Sequence, residues 1–464
     1  MLEQAGIPGT DDWLLVDIAS EMGKNFRRLG KLRQYRIGDA PVPQEASAAM
    51  RDAYVKFVKQ SRLNMCELIV GSKVHRQKVV GFKTAVVGDD LGDQAAWATW
   101  NRSHMNVGAR LLFSDAGHYG ESFTTVAGPE GNGIDRSLFQ PVIVNSDPWQ
   151  TYTRQHPRFR WVTEYAIEVS HDPFQSVDRI ILYGRGWARV AERRAERTTI
   201  PSDGTQWRPT SDWTWVTDRI TLGWTADNPV TRYSTLTGLG IYEPHLDTVD
   251  RINDGIKQRS ILMAMQAFKQ RALEGELPSH YPDDHEKAGE PIDYDGLFEA
   301  GPAALWRLPE GVKIWESQTT DLRPLLEVSK DDKKDLAAVT GTPLYILSPD
   351  AASGSAEGAS SLKETANFTV EELNDLAGGA LRQSMALAFQ AQGDTQRADA
   401  GEIDVMFASI DRLSTQDRAT ASQAAKSGGW TQRNIDEKII GLTPAEIRQA
   451  KQDREDEAFA AAVA

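Results

Sequence analysis

The residues that could support catalysis or bind a metal do not form a recognised catalytic pattern in this sequence. The densest group of metal-capable side chains is His280, Asp283, Asp284 and His285. Its surroundings are polar and acidic, so an exposed acidic loop explains the group better than a metal site does. The sequence has no phosphate-loop, zinc-protease, nucleophile-elbow or paired-cysteine motif. We therefore predict no catalytic residues, no metal site and no cofactor.

Two weaker features lead to the same conclusion. Gly238-Leu239-Gly240 lacks the third glycine of a dinucleotide fingerprint and does not follow a clear strand. Cys66 is the single cysteine, which excludes an internal disulfide. A lone cysteine of this kind is expected to be a small buried hydrophobic residue rather than a nucleophile.

Composition indicates a folded protein with two or three domains. The chain has 464 residues, of which 40% are hydrophobic and 25% charged. Its formal net charge of −14 argues against a protein that coats nucleic acid, because such proteins are basic. The longest apolar run, residues 261–268, is too short to span a bilayer, and the first residues lack a signal-peptide pattern. We expect a protein that has no membrane contact and is made in a reducing compartment.

The elements that would position a site centre on residues 321–392. A helix is predicted over 322–340, closed by Gly341 and Pro343. A second helix is predicted over 361–392, opened by a capping box and spanning ~48 Å. Gly378 and Gly379 near its middle would allow a kink.

The segment between these helices is unusual because it lacks large side chains. After a short apolar run at 344–347, residues 348–359 are mostly Ser, Gly and Ala. Loops of this length in compact domains are usually functional or disordered. Two interpretations stay open: a mobile surface linker, or a loop held over something that must slide past it.

The N-terminal half is predicted to mix helices and strands. Helices are expected over 13–29, 44–60 and 93–117, with strand-like runs at 64–70 and 78–87. The basic cluster that follows the first helix is expected to be a solvated face; its members are Arg27, Arg28, Lys31, Arg33 and Arg36. Residues 121–235 are β-rich, and their many tryptophans are expected in the core rather than in a base-stacking platform.

The C-terminal half adds a helix, a small module and a helical cap. A helix is predicted over 244–273, with an apolar stripe on one side. Residues 274–320 then form a polar, acidic module whose clearest element is a hairpin of 304–308 with 312–316. After the long helix, a strand at 403–407 precedes three short helices.

Several segments, taken in order, resemble one known family. They are 32–39 (LRQYRIGD), 117–123 (GHYGESF), 228–230 (NPV), 247–253 (DTVDRIN) and 340–343 (TGTP) with its small-residue loop. The chain is similar in this order to the portal proteins of long-tailed bacteriophages. One departure is that the family's usual P-F-x-N here reads Pro229-Val230-Thr231-Arg232.

The resemblance implies an α+β portal fold that assembles as a twelve-subunit ring at one capsid vertex. Its parts would be a mixed α/β wing, two stem helices, a small α/β clip, a tunnel loop, a long kinked helix with a return strand, and an α-helical crown. In the same order, these correspond to 1–243, 244–273 with 321–340, 274–320, 341–360, 361–410 and 411–464.

The resemblance also implies a non-enzymatic channel for packaging and ejecting double-stranded DNA. The tunnel-loop residues that would face DNA are Asp350, Ala351, Ala352, Ser353, Gly354 and Ser355. Candidate phosphate contacts on the stem are Lys257, Arg259, Lys269 and Arg271, although ion pairs between subunits explain these equally well. Implied partners are terminase, the head–tail adaptor, the major capsid protein and scaffold, in a virion assembled in the bacterial cytoplasm.

Two alternatives from other classes remain open. One is an enzyme with a mobile lid at 348–360, which predicts a monomer or small oligomer with perturbed carboxylates. The other is a capsid or scaffold component without a channel. The size of the purified assembly separates both from a ring.

Overall fold

The computed structural model describes residues 6–40, 55, 58–86, 92–129, 138–195, 212–267, 271–275, 277–292, 294, 313–316, 321–348, 356–410 and 415–463. The α-helices in these ranges are α1 Asp11–Arg36, α2 Met65–Val74, α3 Gln94–Arg102, α4 Met105–Tyr119, α5 Leu246–Ala267, α6 Arg323–Val339, α7 Leu344–Leu347, α8 Ala356–Gln392, α9 Thr415–Ser427, α10 Gln432–Ile435 and α11 Pro444–Val463. The strands are β1 Val79–Lys83, β2 Glu121–Ala127, β3 Val142–Ser146, β4 Thr151–Gln155, β5 Thr163–Asp172, β6 Val177–Gly184, β7 Trp187–Arg194, β8 Thr214–Trp215, β9 Ile220–Thr221, β10 Val230–Ser234, β11 Arg271–Glu274, β12 Lys313–Glu316 and β13 Asp404–Phe407.

Helix α1 covers one face of an antiparallel six-stranded sheet. The strand order is β4-β5-β6-β7-β8, and β9 also pairs with β7. Thr10 caps the helix by accepting a hydrogen bond from the Trp13 amide, at 3.2 Å. The apolar side of α1, including Leu15 and Ile18, packs on Ile167 and Ile180 of the sheet. Burying these side chains fixes the helix on the sheet.

A larger core joins the rest of the body. It contains α2, α4, the three-stranded sheet β10-β2-β3 and the C-terminal half of α8. Strand β13 returns to pair with β1, as antiparallel neighbours, and this ties the end of the long helix to the N-terminal half. The chain is therefore mixed α and β, with segments distant in sequence sharing one core.

Several predicted elements differ in the structure. Residues 65–74 form a helix, where a strand was predicted over 64–70. The helix predicted over 93–117 is two helices, separated at His104, an exposed residue with φ +52°. Helix α1 continues to Arg36, beyond the predicted end at residue 29. In each case, packing against neighbouring elements outweighed local propensity.

The tryptophans within residues 121–235 were predicted to lie in the core, and this is right for some of them and wrong for Trp161. Trp213 and Trp224 are buried, as expected for core residues. Trp161 is exposed and lies on the loop between β4 and β5, beside Phe159 at 5.6 Å between ring centroids. Trp207 lies outside the described residues.

The first predicted stem helix is shorter than expected. Helix α5 ends at Ala267, and Arg271–Glu274 instead form strand β11. This strand pairs with Lys313–Glu316. The predicted hairpin partner 304–308 lies outside the described residues, so that hairpin stays a prediction. The pairing of β11 with β12 provides hydrogen-bond partners for backbone polar groups of both strands.

The predictions for α6, for the strand near 403–407 and for the C-terminal helices are confirmed by element type and approximate bounds. The C-terminal region consists of α9, α10, a π-helical turn at Asp436–Ile440, and α11. Thr443 and Glu446 form the start of α11, with the Thr443 amide donating to the Glu446 carboxylate at 2.7 Å. Among the helices in the described part of the chain, none combines the length and apolarity needed to cross a bilayer.

Candidate channel helices and loop root

Helices α5 and α6 form an antiparallel pair that projects from the body. They pack together, and β11 and β12 pair where α5 ends and α6 begins. Arg251 of α5 contacts Asp332 of α6 at 2.8 Å, in an exposed ion pair that raises the pKa of Arg251. Such exposed pairs contribute little to stability, so it is apolar contact that holds the base of the pair.

Several apolar residues of this pair are buried near the body, whereas others along the pair are exposed. Val249 and Ile252 of α5 and Leu336 of α6 are buried. Further out, Met263 and Val328 are more than half exposed. Side chains of this kind remain in contact with water unless another surface covers them.

The base of α5 is fixed by ion pairs and hydrogen bonds from α1. Arg28 makes a two-point ion pair with Glu243, at 2.6 and 2.7 Å, and donates to the Tyr119 carbonyl at 2.8 Å. The Tyr35 hydroxyl donates to the Asp250 carboxylate at 2.7 Å. The prediction of a solvated basic face is therefore wrong for Arg28, because a two-point guanidinium–carboxylate pair fixes its position.

A second member of that basic cluster is also paired. Arg36 contacts the buried Asp115 at 2.7 Å, and its guanidinium lies over the Tyr119 ring. The partners of Arg28 and Arg36 are 215 and 79 residues away in sequence. Two members of the cluster thus position elements within the body, and the exposed Lys31 and Arg33 keep the predicted solvent-facing role.

The candidate phosphate contacts on the stem fall into different environments. Lys257 donates to Asp254 at 2.6 Å, so its charge is already compensated. Arg259 is half-buried and forms no ion pair with any residue in the described ranges. Lys269 lies outside those ranges, and the Arg271 backbone lies on β11, opposite Glu316, rather than on the helix.

The predicted tunnel-loop residues 350–355 lie outside the described residues, but both flanks of the loop are described. On one side, α7 makes a helical turn over Leu344–Leu347. On the other, α8 begins at Ala356, earlier than the predicted start at residue 361. Residues 356–360 are thus helical, and the part between the two flanks is reduced to 349–355. Helix α8 is continuous across Gly378, and the kink there stays a prediction.

Helix α6 ends in a Schellman motif that directs the chain toward the loop. Gly341 has φ +56°. The Gly341 amide donates to the Ala338 carbonyl at 3.3 Å, and the Thr342 amide donates to the Ala337 carbonyl at 2.8 Å. A Cβ on Gly341 would lie 2.5 Å from Thr369 Oγ1 of α8. Glycine therefore provides both the left-handed conformation and the close approach to α8.

We call residues 340–348 the connector; its start is held by a buried chain of hydroxyls. Thr340 Oγ1 donates to the Leu336 carbonyl at 2.7 Å and lies 2.8 Å from Thr342 Oγ1. Since the Thr340 hydroxyl proton is used at Leu336, the Thr342 hydroxyl donates to Thr340. Thr342 Oγ1 then accepts from Lys73 Nζ, at 3.0 Å.

Lys73 is a buried ionisable side chain in the last turn of α2. It is 1% exposed, and Nζ also donates to the Ile69 carbonyl at 3.4 Å. Burial, together with a smaller contribution from the nearby charge of Arg76, lowers the pKa of Lys73 to about 7.

The same end of α2 reaches both flanks of the loop. Arg76 Nη2 donates to the Tyr345 hydroxyl at 3.2 Å, in the connector. Gln77 Nε2 donates to Asn374 Oδ1 of α8 at 3.3 Å. Residues 73–77 therefore contact the chain before and after the segment 349–355.

Relatives among curated proteins carry one name. The chain is 26% identical over 419 residues to the portal protein of Mycobacterium phage D29, covering 84% of this chain and 78% of that protein. It is 27% identical over 343 residues to the portal protein of Mycobacterium phage L5, covering 70% of this chain and 63% of that protein. The chain is thus similar to the portal proteins of two mycobacterium phages. No family model matches it.

The chain also has a likeness to solved structures of particle necks. The necks of an empty and of a native GTA particle cover 87% and 86% of this chain and 96% and 94% of their own chains. Both are 12% identical to it, with TM-scores of 0.44 and 0.42. Scores below 0.5 are too low to assign the fold from these structures.

The sequence patterns did not single out Lys73 as a functional residue of this chain. Cys66, Ile69, Val70 and Lys73 lie at helical spacing, and all four are buried on one face of α2. A lysine in an apolar stripe was the available signal, and it was hidden because the stretch was interpreted as a strand. Cys66 is buried as predicted, and burial raises the pKa of its thiol to about 12.

Proposed function

We propose that this chain is one subunit of a phage portal, a ring that forms a channel for double-stranded DNA at one capsid vertex. The observation that carries the proposal is the relationship to the D29 portal protein over most of both chains. The projecting pair α5 and α6, followed by the connector and the long helix α8, supports it. These elements occur in the order that the sequence resemblance implies.

The exposed apolar residues of the helix pair support side-by-side assembly. Met263, Leu326 and Val328 are 56%, 40% and 59% exposed in the single chain. In a closed ring, each pair would lie between two neighbours, and both flanks would be covered. The resemblance implies twelve subunits for such a ring.

The loop between α7 and α8 is proposed to line the narrowest part of the channel. Its small side chains, at Asp350, Ala351, Ala352, Ser353, Gly354 and Ser355, offer few groups that bind phosphate. The chain's net charge of −14 also disfavours tight binding of DNA, which depends on many cationic contacts. A conduit with few attachment points allows DNA to move past it.

The remaining parts are proposed to contact other components of the virion. The module at 274–320 would meet terminase during packaging and the head–tail adaptor afterwards. The wing, 1–243, would contact the major capsid protein and scaffold, and the crown, 411–464, would lie inside the capsid. Arg259 is the stem candidate for transient phosphate contact, because Lys257 is already paired with Asp254.

A loop deletion tests the channel proposal. Removing part of 350–355 should leave rings intact in negative-stain images, since the described contacts of the connector and α8 lie outside it. Virions carrying the shortened loop should contain less DNA than wild type. Full DNA content in virions with the shortened loop would exclude a DNA-facing role.

A further inference from the structure

Lys73 is held in an unusual environment for a lysine. Its Nζ has two described partners, the Ile69 carbonyl and Thr342 Oγ1, and no described carboxylate pairs with it. The group facing it from the connector is the hydroxyl of Thr342, backed by that of Thr340. The charged group that acts on it is Arg76, two residues after the end of α2, and this charge is repulsive. A buried ammonium without an anionic partner is costly, so its charged form favours exposure to water.

The position of Lys73 gives this cost a specific consequence. The ammonium lies between the last turn of α2 and the start of the connector, which begins directly after α6. The partial negative charges at the C-terminal ends of α2 and α6 reduce the cost of the ammonium but do not replace a carboxylate. For Nζ to reach water, the contact with Thr342 must break, and the start of the connector must move away from α2.

We propose that Lys73 positions the connector, holding it against α2 when the side chain is neutral and releasing it when the side chain is charged. The inference rests on the proposed function for its meaning, because the connector leads into the loop that would line the channel. It names Lys73 as a positioning residue for that loop, acting through Thr342. Lys73 itself has no contact with DNA in this proposal.

Proton linkage gives the sign and size of the effect. With the connector closed, burial holds the pKa of Lys73 near 7, whereas an opened connector returns it to its ordinary value of 10.5. Opening therefore takes up a proton between about pH 7 and pH 10.5. In that window, each unit of falling pH makes opening about tenfold more favourable, and below pH 7 the effect levels off.

Hydrogen exchange of the connector, followed by mass spectrometry on the full-length protein, tests the proposal. The exchange rate of a peptide covering 340–348 is measured in wild type and in Lys73→Met between pH 9 and pH 7. The ratio of the two rates at each pH removes the pH dependence of chemical exchange, because residue 73 lies outside the peptide. The ratio of wild type to Lys73→Met is expected to rise by up to about a hundredfold from pH 9 to pH 7.

Two further variants complete the test. Lys73→Arg carries a permanent charge, so its connector should exchange fast at every pH in this range. Lys78→Met removes an exposed lysine just beyond α2 and should keep the wild-type dependence. A constant ratio of wild type to Lys73→Met, or slow exchange in Lys73→Arg at pH 9, overturns the proposal. If Lys73→Met does not fold, the Lys73→Arg result decides.

The result is independent of the portal proposal. Connector exchange can be measured whether or not rings form. If rings form and the exchange ratio stays constant with pH, only the proposed role of Lys73 is contradicted. A monomer that shows the expected pH dependence contradicts the portal proposal and retains the positioning role.

Discussion

Replacing Gly341 with alanine should loosen the connector by an amount that can be worked out from two terms. The backbone at Gly341 has φ +56°, and an L-residue there costs roughly 1 kcal/mol. The new Cβ would lie 2.5 Å from Thr369 Oγ1, far inside normal contact. Crowding of this kind typically costs about 1–3 kcal/mol. The expected loss in the free energy of local opening is thus about 2–4 kcal/mol.

Hydrogen exchange of the Thr342 amide measures this loss directly. That amide donates to the Ala337 carbonyl at 2.8 Å and is exposed to exchange when the end of α6 opens. A loss of about 2–4 kcal/mol corresponds to exchange about 30- to 700-fold faster than in wild type. A local probe is preferable to a global melt, because a chain of several domains need not unfold in two states.

Making Gly341→Ala in a Thr369→Ala protein separates the cost of the left-handed backbone from the cost of crowding against Thr369. Without the hydroxyl, the next atom of residue 369 is its Cβ, 3.6 Å from the added Cβ, which is an ordinary contact. The cost of Gly341→Ala should then fall to about 1 kcal/mol, or about fivefold in rate. Gly379→Ala, whose added Cβ meets no atom within 4 Å, should leave connector exchange unchanged. Equal acceleration by Gly341→Ala in both backgrounds would refute the steric part of the reasoning.

Two other predictions concern single charged groups. Burial of Asp11 raises its pKa, but hydrogen bonds and charges from Arg219 and Arg189 outweigh burial and hold the pKa below 3.8. The ionised Asp11 carboxylate therefore stabilises the fold at neutral pH, and this stabilisation is lost as the pH falls below about 3.8. The melting temperatures of Asp11→Asn and wild type should converge at that low pH. A difference in melting temperature that stays constant with pH would contradict the prediction. If Arg259 contacts phosphate, Arg259→Gln rings should bind duplex DNA with a weaker salt dependence in fluorescence anisotropy, whereas Lys257→Gln should behave as wild type; equal slopes for all three would exclude the contact.

Local patterns in the sequence predicted the elements that have strong start and stop signals. Helix α6 lies within one residue of its predicted bounds, since Pro324 opens it and Gly341 closes it. The start of α11 likewise follows from Thr443 and Glu446. The order of the helix pair, the connector and the long helix was also predicted, although α8 begins at Ala356, before the predicted capping box at 361.

Features that depend on distant partners could not be predicted in this way. Residues 65–74 are rich in Ile, Val and Leu, and packing against α4 and the connector favours a helix there over a strand. The pairing of β11 with β12 joins strands separated by a whole module. The burial of Lys73 depends on Thr342, 269 residues away, which no spacing rule connects to it. The candidate site was thus predictable as a segment, and the contacts that hold it were not.

The central claim is that many copies close around a hole lined by α5, α6 and the loop after the connector. Cryo-electron microscopy of the purified full-length protein tests this most directly. The account predicts rings of about a dozen subunits, with α5 and α6 facing the central hole and residues 349–355 at its narrowest point. A monomeric particle, or a ring in which these helices face outward, would contradict it.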